Sequence, residues 1–121
     1  MSSKIFSEFK EIMKGKEGVV ERENLMYVSG SKPIARIASA LANETRAKII
    51  ELIAAGPKDL DFIAREIKQS KANVSSQIRR LEEVGLVSSI YQPGERGIKK
   101  FVELRVDALI LLLKKDKEEK T

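Results

Sequence analysis

Between Ser70 and Gly85 the apolar residues Val74, Ile78 and Leu81 recur at offsets of four and seven, the spacing of a helix with one buried face. Ser70 is a natural N-cap and Gly85 a natural stop, so a helix is predicted over 71–84. Just before it, Asp59 or Asp61 opens a shorter helix that buries Leu60, Phe62, Ile63 and Ile67 and ends near Gln69. Two short helices joined by a tight polar turn form a helix-turn-helix. Two strand-like runs follow, 86–91 and 98–104, flanking Gln92-Pro93-Gly94-Glu95-Arg96-Gly97. They read as a β-hairpin with a long tip, a wing over 86–104.

The same reading extends to both ends. Ile5, Phe6, Phe9, Ile12 and Met13 predict an amphipathic helix over 3–14, stopped by Gly15 and Gly18. Residues 19–31 carry no clear period and read as a loop or short extended piece. A second helix opens at Ser31, tolerates Pro33 in its first turn and places Ile34, Ile37, Ala38 and Leu41 on one face. Asn43 caps a third, whose periodic residues Ala47, Ile50, Ile53 and Ala54 run to Gly56-Pro57. Residues 106 to about 114 are expected to be an apolar helix, followed by a fraying charged tail. Because 108–113 are all apolar, that helix would need a partner on every side. Phe6, Phe9 and Met13 of the same or another chain are the expected neighbours of Leu109, Leu112 and Leu113, and this set is the expected dimer interface. The expected organisation is α+β and mostly helical: an N-terminal helix and connecting segment over 1–30, a winged helix-turn-helix over 31–105, and a terminal dimerisation helix and tail over 106–121.

A chain of 121 residues can bury a self-supporting core without disulfides or metal. It has no Cys and no His, which removes thiolate zinc sites, cysteine nucleophiles and the commonest general base. Asp59 with Asp61 and Glu82 with Glu83 are the paired carboxylates that would suggest catalysis. The first pair falls where a helix wants negative charge, and the second lies on a surface beside Gly85, so no catalytic residue is expected. The longest apolar run is far shorter than the roughly 20 residues of a membrane span. Lys4, Glu8, Lys10 and Glu11 interrupt any signal-like run, so the expected location is cytoplasmic and nucleoid-associated. Net charge is +5, and residues 70–100 hold six basic against three acidic side chains. That local surplus on the second helix and the wing favours an anionic partner.

Residues 37–53, Ile-Ala-Ser-Ala-Leu-Ala-Asn-Glu-Thr-Arg-Ala-Lys-Ile-Ile-Glu-Leu-Ile, resemble the opening signature of ArsR-like winged-helix regulators, of a type also found in archaea. Residues 69–87, from Gln69-Ser70-Lys71 through Leu81-Glu82-Glu83-Val84-Gly85-Leu86-Val87, resemble the same family's recognition helix and entry to the wing. The resemblance covers about residues 34–113. It implies a homodimer that binds a pseudo-palindromic operator in double-stranded DNA, with a metal or thiol ligand releasing many members. Metal-sensing members place Cys in the first helix of the motif, where this chain has Leu60-Asp61-Phe62-Ile63-Ala64, or His and Asp in the last helix, where it has 106–113. No metal effector and no cofactor are therefore expected.

With Val74, Ile78 and Leu81 facing inward, Ala72, Asn73, Ser76, Arg79, Arg80 and Glu83 point outward, and Ser75 and Gln77 flank them. Short polar residues near the N-terminus let a helix enter the major groove, where Asn or Gln pairs with adenine and Arg with guanine or phosphate. The candidate DNA contacts are Ser70, Lys71, Asn73, Ser75, Ser76, Gln77, Arg79 and Arg80 on the helix, with Arg96, Lys99 and Lys100 on the wing. Arg46 reads as a helix-packing or ion-pair residue. The expected function is sequence-specific regulation of transcription. A chromatin-like protein that coats DNA and a winged-helix module that binds protein are the alternatives.

Overall fold

The computed structural model describes residues 3–114. It divides into two compact units, one of residues 37–107 and one of residues up to 36 together with those from 108 onward.

In the 37–107 unit, the C-terminal part of α2 (Ser31–Leu41) leads into α3 (Glu44–Ile53), β3 (Lys58–Asp59), α4 (Leu60–Ile67), α5 (Lys71–Glu83), β4 (Val87–Gly94) and β5 (Gly97–Leu104). Each helix start is capped as its sequence asks. The side chains of Asn43, Asp59 and Ser70 accept from the backbone N–H groups of Arg46, Phe62 and Asn73. Helices α3, α4 and α5 contact one another, and Ile49, Ile53, Ile63, Val74, Ile78 and Leu81 are buried. Each such side chain contributes roughly 1.5–3 kcal/mol by leaving water. The inward face of α3 is Arg46, Ile49 and Ile53. Of the expected face through Ala47, Ile50, Ile53 and Ala54, Ile53 is buried as expected, whereas Arg46 and Ile49 point inward in place of Ala47 and Ile50, because buried Arg46 occupies a position the apolar pattern leaves to an aliphatic side chain.

Helix α5 ends in a Schellman motif: Leu86 N–H reaches Leu81 O at 3.1 Å and Gly85 N–H reaches Glu82 O at 3.0 Å, with Gly85 at φ 80°. Helix α4 ends the same way, through Gln69 N–H to Ala64 O at 3.1 Å, but its left-handed residue is Lys68, φ 64°. A non-glycine residue there costs about 1 kcal/mol. Lys68→Gly is therefore expected to raise stability by roughly 0.5–1 kcal/mol, measured by urea unfolding.

The hairpin β4–β5 runs in continuous register from Val87↔Leu104 to Gly94↔Gly97. The wing tip is thus a two-residue turn, Glu95-Arg96, rather than a long loop. Gly97 at φ 109° allows the tight return. Strand β3 adds to β5, giving a three-stranded sheet in the order β3-β5-β4, so the wing is anchored beside the start of α4.

The other unit holds α1 (Ser3–Met13), β1 (Gly18–Arg22), β2 (Leu25–Ser29) and β6 (Ala108–Leu112). Two expectations are corrected here. The segment read as a loop is a β1–β2 hairpin, turned by Glu23 and Asn24 at φ 52° and 65°, two adjacent positive values that suit the twist of a hairpin. The expected terminal dimerisation helix over 106–114 is instead β6, paired in parallel with β2 from Leu25↔Ala108 to Ser29↔Leu112. Leu109 lies within this strand, as does Leu112, and Leu113 lies just beyond it. The charged tail from 115 lies outside the described residues. An all-apolar run suits a central or edge strand as well as a helix, and here the ladder offered by β2 decides. Phe9, Met13 and Tyr27 form the core of this unit, with Ile12, Val20, Leu25, Ile110 and Leu112 packed against it. The Phe9 and Tyr27 rings meet edge to face, 5.5 Å between centroids at 81°. Among the described residues no helix is long and apolar enough to cross a membrane.

Candidate nucleic-acid interface

The outward face of α5 is arranged as the wheel predicts. Val74, Ile78 and Leu81 are buried, while Ser70, Lys71, Asn73, Ser76, Arg79 and Arg80 are exposed and Ser75 and Gln77 are half-buried at the flanks. Apart from Lys71 at its start, the N-terminal two turns present uncharged hydrogen-bonding groups, and arginines follow. Arg80 is partly engaged by Glu83, 3.8 Å away on its own helix.

Lys71 is tied down as well. Its Nζ lies 2.9 Å from Asp61 Oδ1, bridging the first turns of α4 and α5. This hydrogen bond, then the Lys71 charge, with smaller contributions from Lys99 and Arg65, holds the exposed Asp61 carboxyl below the ordinary aspartate range. Because the folded-state value is depressed, the pair stabilises the fold above the ordinary aspartate titration and that stabilisation is lost as pH falls through the folded-state value. Carboxyl-carbon NMR is expected to give Asp61 a titration midpoint below that of an unpaired aspartate, and Lys71→Ala is expected to move it back up.

The remaining carboxylates singled out in the sequence are likewise in structural use. Asp59 Oδ1 caps α4, and Glu82 Oε2 accepts from Ser89 Oγ at 2.7 Å, fastening α5 to the wing.

On the wing, Arg96 sits at the turn and is exposed, as is Lys99, whereas Lys100 is half-buried. The pairing Tyr91↔Lys100 and Gln92↔Lys99 puts the two lysines on opposite faces of the hairpin. Tyr91 and Ile98 are 63% and 73% exposed, on the same face as Lys100. Sequence reasoning passed over both, although strand alternation between Leu86 and Leu104 would have placed them there.

Reasoning from the sequence also missed a polar ring that joins α3 to α5. Arg46 is only 9% exposed. Its Nε donates to Ala40 O at 2.6 Å and its Nη2 to Ser39 O at 3.3 Å, satisfying carbonyls in the last turn of α2. Its Nη1 donates to Gln77 Oε1 at 2.6 Å. Gln77 Nε2 in turn donates to Asn73 Oδ1 at 3.4 Å, Asn73 Nδ2 donates to Gln69 Oε1, and Gln69 Nε2 donates to Thr45 Oγ1 at 3.1 Å. The visible signal was the repeat of amides at 69, 73 and 77, one helical turn apart.

Residues 43–89 match the family model described as "bacterial regulatory protein, arsR family". That stretch of the chain is similar to the family, and the 37–107 unit has the winged helix-turn-helix fold. Among solved structures, the homodimeric winged helix-turn-helix DNA-binding domain Mb0332 from Mycobacterium bovis, a possible ArsR-family transcriptional regulator, is 26% identical, with a TM-score of 0.53 over 60% of this chain and 63% of that one. Rv0081 of M. tuberculosis superposes with a TM-score of 0.55 at 20% identity, over 62% of this chain and 72% of its own. NolR from Sinorhizobium fredii gives 0.53 at 20% identity, over 61% and 70%. The last two speak for the fold alone. No curated protein matches the chain in sequence. The ArsR match begins at Asn43, the cap of α3, and ends at Ser89 in β4, so it spans the helices that make up the polar ring and the entry to the wing.

Proposed function

We propose that this protein is a homodimeric transcriptional regulator that binds double-stranded DNA sequence-specifically in the cytoplasm, at the nucleoid. Helix α5 lies in the major groove, and the wing lies on the backbone or in the minor groove. One observation carries the reading: beyond Lys71, which is paired with Asp61, the exposed face of α5 grades from amides and hydroxyls at its first turns to arginines farther along, as suits a base-reading helix with backbone contacts beyond it. Ser70, Lys71, Asn73, Ser75, Ser76 and Gln77 form the reading end. Arg79, Arg80, Arg96, Lys99 and Lys100 supply charge for phosphates.

The Mycobacterium bovis domain is a homodimer, and we assign the same state here. Val19 and Leu111 flank buried Val28 in one cross-strand row and are exposed, as is Leu113 at 82%; water-exposed apolar side chains suit a second copy. Phe6, Leu109 and Leu113 remain candidates for that contact, whereas Phe9, Met13 and Leu112 support it from within their own core. Without Cys or His, the protein has no transition-metal effector. Micromolar zinc, cadmium or arsenite is expected to leave DNA affinity unchanged.

Selection of bound duplexes from a random pool tests the function. A two-fold symmetric motif is expected. Enrichment of no motif would replace the regulator with a DNA-coating protein, and light scattering that finds a monomer at tens of micromolar would remove the homodimer.

A further inference from the structure

The ring from Arg46 through Gln77, Asn73 and Gln69 to Thr45 has a direction. A guanidinium only donates, so Gln77 must turn its oxygen toward Arg46. Its Nε2 then faces Asn73 and meets Oδ1. That leaves Nδ2 of Asn73 for Gln69 Oε1 and Nε2 of Gln69 for Thr45 Oγ1. The hydroxyl at the far end can accept or donate, so it imposes no order of its own. Only the Arg46 end fixes which way each amide points.

Each ring amide uses one N–H and one oxygen lone pair within the ring, which leaves a second N–H and a second lone pair for a ligand. Asn73 is exposed and Gln77 and Gln69 are half-buried, so the ring lies at the surface of α5 rather than in the core. An amide reads adenine by donating to N7 and accepting from N6–H, and a reversed amide would set donor against donor.

We propose that Arg46 is a positioning residue that sets the donor–acceptor order of the Gln77, Asn73 and Gln69 amides, and through it the base preference of α5. The inference rests on the reading of α5 as a base-reading helix and adds Gln69 to the residues that face the bases. Arg46 itself is buried and spent on Ser39, Ala40 and Gln77, so it acts through the amides rather than on DNA.

The test combines affinities for the preferred and random duplexes with side-chain amide NMR spectra of the free protein. In the wild type the Asn73 and Gln77 amide protons are expected to be dispersed, as in held amides. In Arg46→Met, which has no donor, those signals are expected to move toward free-amide positions. The ratio of preferred to random affinity is expected to fall about tenfold, the scale of one bidentate base contact, with random-duplex affinity changed less than about twofold. Arg46→Lys, again donor-only, is expected to restore part of the ratio, and Thr45→Val is expected to keep it.

Gln77→Glu provides an arm that spares the buried carbonyls. Its carboxylate still accepts from Arg46 but has no proton for Asn73, so Asn73 and Gln69 must both reverse and Thr45 must donate. The base selected opposite Asn73 is then expected to change identity. A folded Arg46→Met protein with an unchanged ratio, or Gln77→Glu with an unchanged base opposite Asn73, overturns the proposal. Ordered amides in a wild type that prefers no duplex would instead fail the DNA-reading function, and would leave Arg46 with no readout to position.

Discussion

Phe9→Ala is expected to lower the free energy of unfolding by about 3–5 kcal/mol, the range for an aromatic ring removed from a packed core. Phe9 is buried and sits with Met13 and Tyr27 at the centre of the α1–β1–β2–β6 unit. The substitution removes the edge-to-face contact with Tyr27 as well as the ring's own burial. A unit this small has few other large side chains with which to close the cavity. Urea unfolding monitored by circular dichroism measures the loss. A double-mutant cycle with Phe9→Leu and Tyr27→Leu is expected to show about 0.5–1.5 kcal/mol of coupling between the rings. A total loss under about 1 kcal/mol would mean that α1 is not docked on this sheet.

The parts of the molecule legible in the sequence are those in which the residues that decide a conformation lie within a few positions of one another. Asn43, Asp59, Ser70 and Gly85 announce the ends of helices through hydrogen bonds to neighbours three to five residues away. Val74, Ile78 and Leu81 give the orientation of α5, and with it the exposed face that carries the proposed function. Strand β6 was illegible for the opposite reason. Its six-residue apolar run has no period, and the choice between helix and strand is made by a ladder to β2, some eighty residues away in the chain. The β1–β2 turn lacked the Asn-Gly or Asp-Gly signal, since Glu23 takes a positive φ that its side chain does not advertise. Arg46 reads from the sequence as a helix-packing or ion-pair residue, but its acceptors are the Ser39 and Ala40 carbonyls and the Gln77 amide. Only the folded helices bring those groups to one guanidinium.

Asn73→Ala and Arg96→Ala are expected to fail in different ways. Asn73 lies in the first turn of α5, exposed and uncharged, with one amide N–H and one lone pair beyond those used by Gln69 and Gln77. Its removal is expected to cost on the order of 1–3 kcal/mol per half-site on the preferred duplex, and about twice that for a homodimer on a two-fold site. Random DNA offers this amide no matched base edge, so binding there should change little. Arg96 stands at the two-residue wing turn, exposed, and supplies charge without a fixed base partner. Arg96→Ala, and likewise Lys99→Ala, is expected to weaken preferred and random duplexes alike. Each is also expected to flatten the dependence of log affinity on log salt by about one unit per subunit for every phosphate no longer neutralised. Titrations of both duplexes at several salt concentrations separate the two behaviours, because a base-reading group changes the ratio of affinities and leaves the slope, while a phosphate-binding group changes the slope and leaves the ratio. Equal ratios and equal slopes for Asn73→Ala and Lys99→Ala would mean that α5 reads no bases and that the protein holds DNA by charge alone.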